Sequence, residues 1–120
     1  GLAASALTYD PPAPRPGDLD LIDIPATDEQ PVLRLQSDPP RRLPNLASLP
    51  IAIVTGEQSV AAAMDAGTTA FLRQAGCNRV DHLRLADLGL RGNGHLLMAE
   101  RNTAQILDAV TTWLSSNSSR

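Results

Sequence analysis

Seven consecutive residues, Gly89-Leu90-Arg91-Gly92-Asn93-Gly94-His95, carry the sharpest chemical signal in the chain. Glycines at 92 and 94 let the backbone take dihedrals that other residues avoid and approach other atoms closely. They also leave the imidazole of His95 uncrowded. Histidine titrates near neutrality, so His95 is suited to proton transfer. A histidine that caps the next helical turn, or packs under the loop, fits the same residues, and both readings stand at this point. A second group lies upstream, at Thr55-Gly56-Glu57-Gln58-Ser59. From the end of a neighbouring strand, the Glu57 carboxylate could reach a histidine on the adjacent loop, set its tautomer and stabilise the imidazolium. Glu57 equally suits the positive end of a helix that starts near Ser59.

Other reactive residue types are less informative. Cys77 has only Arg79 as a nearby cation in sequence and reads as a buried or half-buried thiol, not a nucleophile. Asp81 and His82 are adjacent, so on a strand they face opposite sides and cannot chelate one metal together. No metal and no cofactor is expected. Asp87 reads as a turn residue, with a role as an alternative acid second to that. Gly89-x-x-Gly92-x-Gly94 is a dinucleotide fingerprint in reverse order, a weak signal for phosphate binding. No serine stands in a Gly-x-Ser-x-Gly setting, so the chain shows no nucleophile elbow of its own.

These residues need strands to hold them. Pro50 introduces Ile51-Ala52-Ile53-Val54, a short run apolar on both faces, which predicts a buried parallel strand. Ser59 can cap a helix with Val60, Ala63, Met64, Gly67, Phe71, Leu72 and Ala75 close to a 3.6-residue period, stopped at Gly76. Residues 80–85 predict a second strand, followed by the glycine loop. A last helix runs from Thr103 to about Leu114, with Ile106, Leu107, Val110, Trp113 and Leu114 on one stripe. The order strand, helix, strand, loop, helix makes the two strands parallel neighbours. Two parallel strands do not make a stable sheet alone, so further chain or a partner copy is expected to cover the edge and the apolar helix faces.

The first 50 residues are different. All ten prolines fall there, and so do seven acids against four arginines; six acids balance six arginines after residue 50, which puts the whole net charge of −3 in the first part. Prolines so close together exclude a long helix. Two short apolar runs, 19–24 and 32–35, are neither of them cleanly amphipathic. The expectation is a proline-rich irregular arm over 1–49, lying on a larger body or forming a lid, followed by a regular α/β segment over 50–120. Without a run of 18 apolar residues, no membrane span is expected. Without a basic stripe, no nucleic acid is expected as partner. No signal peptide is visible, and the chain begins on Gly1, which points to a fragment or a processed chain.

Several stretches resemble the carboxyl-terminal part of the α/β-hydrolase superfamily, in a bacterial and fungal branch ending in Gly-Asn-Gly-His. They are Leu7-Thr8-Tyr9-Asp10-Pro11-Pro12, Leu43-Pro44-Asn45-Leu46, residues 49–57, residues 71–76 and residues 91–102. The resemblance covers nearly the whole chain. It implies that His95 is the triad histidine and that 51–54 and 80–85 are the last two strands of an eight-stranded sheet. It also implies that the nucleophilic serine and oxyanion hole lie upstream of Gly1. Many relatives carry Asp two residues after the Glu of Gly-Glu; Ser59 stands there in this chain, which makes Glu57 the candidate acid. The substrate implied is a small-molecule ester or related acyl compound. The partner implied is the remainder of the hydrolase domain or a second chain, and 120 residues alone are expected to be inactive. The competing expectation is a non-catalytic module that completes a partner's sheet by its exposed edge.

Overall fold

The computed structural model describes residues 7–13, 15–28, 30–59, 62–92 and 101–117. Four of the five residues of Ile51–Thr55 are β-branched, which suits an extended backbone. This strand, β3, pairs in parallel with β4, Val80–Arg84, in a register that sets Ile51 beside Val80, Ile53 beside His82 and Thr55 beside Arg84. Between them runs α1, Ala62–Gln74. It ends where the glycine signal said it would. Gly76 has φ +94°, its N–H bonds to the Arg73 carbonyl at 3.1 Å, and the Cys77 N–H bonds to the Leu72 carbonyl at 3.0 Å. That pair of bonds satisfies carbonyls that the helix end leaves open. After β4 the chain makes one short 3₁₀ turn, Leu85–Leu88, and the final helix α2 spans Thr103–Asn117. The expected order of elements and the parallel pairing are therefore present.

The arm departs from expectation. It is not irregular throughout: β1, Leu21–Ile24, and β2, Leu33–Gln36, form an antiparallel pair. The prolines explain how. Pro25 follows β1 directly, Pro31 precedes β2 and Pro39 follows it, so none sits inside a ladder where a missing N–H would break pairing. Asp23 stands directly opposite Arg34 and accepts its guanidinium at 2.9 Å.

The arm is also locked onto the regular part. Gln36, only 3% exposed, receives the Gln74 side chain of α1 in a reciprocal pair: its N–H donates to Gln74 Oε1 at 2.9 Å, and Gln74 Nε2 donates to its carbonyl at 2.6 Å. The Gln36 amide in turn pairs with both backbone groups of Arg41 at 2.9 Å. A further backbone bond joins the Leu43 N–H to the Ala75 carbonyl at 3.0 Å. One hydrophobic cluster draws on both sides of residue 50: Tyr9, Ala13 and Leu43 from the arm, with Ala75, Cys77 and Val80. Ile51, Ile53, Phe71 and Leu72 pack against it, so the core lies between the arm, α1 and one face of β3–β4.

Among the described residues the opposite face is thinly covered. Ile106 of α2 is 2% exposed, but Leu107 and Leu114 of the predicted stripe are 53% and 51% exposed. Among the described residues no helix is long and apolar enough to cross a membrane.

Candidate functional site

The carboxyl ends of β3 and β4 lie side by side, and Glu57, one of the residues singled out in sequence, stands there. In open α/β sheets this end collects ligands because loops diverge from it. Glu57 sits in the turn just past β3. Its carboxylate crosses to the loop after β4, where Oε2 accepts a hydrogen bond from Arg91 Nη1 and Oε1 accepts the Gly92 N–H at 3.1 Å. Gly92 has φ +82°, a left-handed conformation that other residues rarely adopt. The Glu57 side chain is 27% exposed and that of Arg91 71%. The Arg91 hydrogen bond holds the Glu57 carboxyl below its usual range; partial desolvation opposes this and the Gly92 amide reinforces it. Glu57 thus spans from one strand end to the glycine loop. His95, three residues past Gly92, lies outside the described residues, as do Asn93 and Gly94.

Beneath this bridge is a polar cluster that sequence reasoning missed. Thr55, the last residue of β3 and 6% exposed, donates from Oγ1 to Asp65 Oδ2 of α1 at 2.8 Å. The same Oγ1 lies 2.7 Å from His82 Nε2 on β4. A hydroxyl has one proton, and an ionised carboxylate can only accept. Thr55 therefore gives its proton to Asp65 and accepts one from His82, which assigns the proton of the neutral ring to Nε2. Burial pushes the His82 pKa down, and the Arg84 charge pushes it further in the same direction. The order is histidine, threonine, carboxylate, with the hydroxyl in the middle. In a hydrolytic triad the imidazole is central, so this cluster is not one. It ties together the end of β3, the first turn of α1 and β4. The two ends of the turn that carries Glu57 are thereby bonded to each other.

A cleft of about 420 Å³ opens at this place, lined by Thr55, Glu57, His82 and Arg84 together with alanines of α1 and Asp87. Its signal was present in the sequence as register: once residues 51–55 and 80–84 pair in parallel, Thr55 and His82 stand on one face, two residues apart along the strands. Arg91 lies in the glycine loop after β4, and its charge, opposite to that of Glu57, was the missed clue.

The other candidates separate as their types suggested. Asp81 and His82 face opposite sides: Asp81 Oδ2 accepts the Trp113 indole N–H of α2 at 2.6 Å, while His82 turns to Thr55. Cys77 is 1% exposed, and burial pushes its thiol pKa up, away from a reactive thiolate. Among the described residues no three His, Cys, Asp or Glu side chains cluster closely enough to hold a metal ion.

No family model matches the chain, and no solved structure matches it. Over 116 residues it is 37% identical to "Probable secreted lipase phiG" of Fungal sp. (strain ATCC 74256). That match takes in 95% of this chain and 32% of the fungal protein, so the chain spans about a third of the length of the curated relative. The chain, whose described residues form two small sheets and two α-helices, is thus similar to part of a probable secreted lipase.

Proposed function

We propose that this chain is the carboxyl-terminal part of an esterase-like α/β hydrolase and supplies the histidine, His95, and the acid, Glu57, that act on an ester bond. The observation that carries the reading is the Glu57 bridge: a carboxylate at the end of β3 reaches the loop on which His95 follows. The relation to a protein named as a lipase supports the substrate class. In this reading a serine from the rest of the protein attacks the acyl carbon. His95 takes the hydroxyl proton and returns it to the leaving group, and Glu57 holds the imidazole in the competent tautomer. Each carboxylate oxygen has two lone pairs. Arg91 and Gly92 occupy one on each, which leaves capacity for a third donor.

The test is turnover of p-nitrophenyl esters by the whole protein. His95→Ala is expected to lower kcat by about 10⁴- to 10⁶-fold while the fold persists. A variant that keeps near-wild-type turnover removes the assignment.

A second reading has its own observation. Leu107, Leu114 and Met64 are exposed, and among the described residues β3–β4 is a pair with outer edges. A non-catalytic module that completes a partner's sheet would use those surfaces. It predicts that His95→Ala leaves assembly and any activity of the complex unchanged.

A further inference from the structure

We propose that Arg91 is a positioning residue of this site: it holds Glu57 against Gly92, so that the acid is fixed to the residues that lead in sequence to His95. The inference rests on the hydrolase reading and deepens it. Three observations give Arg91 this role.

The first is geometry. Glu57 is bound on both oxygens by groups of adjacent residues, the Arg91 guanidinium and the Gly92 amide. The two donors are one loop segment, so the carboxylate cannot turn without breaking both bonds. The second is exposure. Arg91 is largely in solvent and belongs to neither the core cluster nor a strand ladder. Its side chain therefore contributes little to folding that Glu57 does not mediate. The third is the conformation of Gly92. A left-handed residue turns the chain sharply at the point where Glu57 grips it, two residues before Gly94 and three before His95. A charge-assisted bond to the carboxylate and a backbone bond at Gly92 together limit how residues 91 and 92 can drift. A misplacement of about 1 Å near reacting groups costs up to roughly 100-fold in rate.

Because Arg91 acts through Glu57, its effect should vanish when Glu57 can no longer be gripped as an anion. The experiment is a double-mutant cycle in the whole protein, with p-nitrophenyl esters of short and long acyl chain as probes. Arg91→Gln is expected to lower kcat by roughly 10- to 100-fold, with KM changed by less than about twofold. Thermal unfolding should stay within about 2 °C of wild type. Arg91→Lys, which keeps the cation, should recover most of the loss. In a Glu57→Gln background, Arg91→Gln should add nothing further.

Losses that multiply in the double variant would overturn the proposal, because Arg91 would then act independently of Glu57. Arg91→Lys as slow as Arg91→Gln would overturn it too. Failure of the underlying reading looks different. If Glu57→Gln and His95→Ala both turn over at the wild-type rate, or the whole protein is inert to these esters, the hydrolase assignment falls and this proposal with it. If Glu57→Gln and His95→Ala are slow but Arg91→Gln is not, only the role of Arg91 is lost.

Discussion

The two faces of the β3–β4 pair differ sharply. Toward α1, the arm wraps back and supplies Tyr9, Ala13 and Leu43, and the polar atoms there are paired: Gln36 with Gln74, Thr55 with Asp65 and His82. Toward α2, Ile106 is buried, two leucines are half exposed, and one hydrogen bond joins Trp113 to Asp81. The lesson is that the proline-rich segment is what closes the core. A two-stranded parallel sheet cannot bury both faces by itself. Among the described residues this chain covers one face internally and leaves apolar surface on the other.

The comparison yields ordered expectations for denaturant unfolding. The largest effect belongs to Leu43→Ala. At 1% exposure, in a cluster that joins arm to sheet, the truncation should cost about 2–5 kcal/mol. A cost under about 1 kcal/mol would mean the arm does not close the core. Next is Thr55→Val, which keeps shape but deletes the shared hydroxyl. It strands the His82 N–H and one Asp65 oxygen, and should cost about 1–3 kcal/mol, while Thr55→Ser should cost less.

A smaller effect is expected in pH dependence. The His82 pKa is lowered in the fold, so the unfolded chain holds the proton more tightly. Stability from this group is fully present above its unfolded value near 6.5 and is lost as pH falls below that toward the folded value. The difference in unfolding free energy between pH 7.5 and pH 5.5 should therefore shrink in His82→Gln. A difference equal to wild type would mean His82 is not held neutral. The smallest effects lie on the α2 face. Leu107→Ala, at a position 53% exposed, should change stability by no more than about 0.5 kcal/mol. A larger loss would show that this face is covered in solution.

Legibility followed the same division. The strand starting after Pro50, the stop at Gly76 and the parallel order could be read from residue types, because each is a local constraint on dihedrals or periodicity. The antiparallel pair in the arm could not. Runs of four residues between prolines carry too little pattern, and their pairing is decided by what β2 packs against. At the site, Glu57 was legible as an acid at a strand end, whereas its partner was not. Which side chain meets it depends on the register of β3 with β4 and on the turn after β4, and neither is a local property.

Sequence alone determined where backbone donors are missing, where glycine permits a left-handed turn, and which carboxylate stands at the end of β3. Tertiary structure alone decided that the proline-rich arm seals the core, that Thr55 links His82 to Asp65, and that Glu57 is held by Arg91 and Gly92. The physical reason is range. Dihedral preferences act over a few residues, but a hydrogen bond between residues 57 and 91 exists only after two strands have aligned and the chain between them has packed.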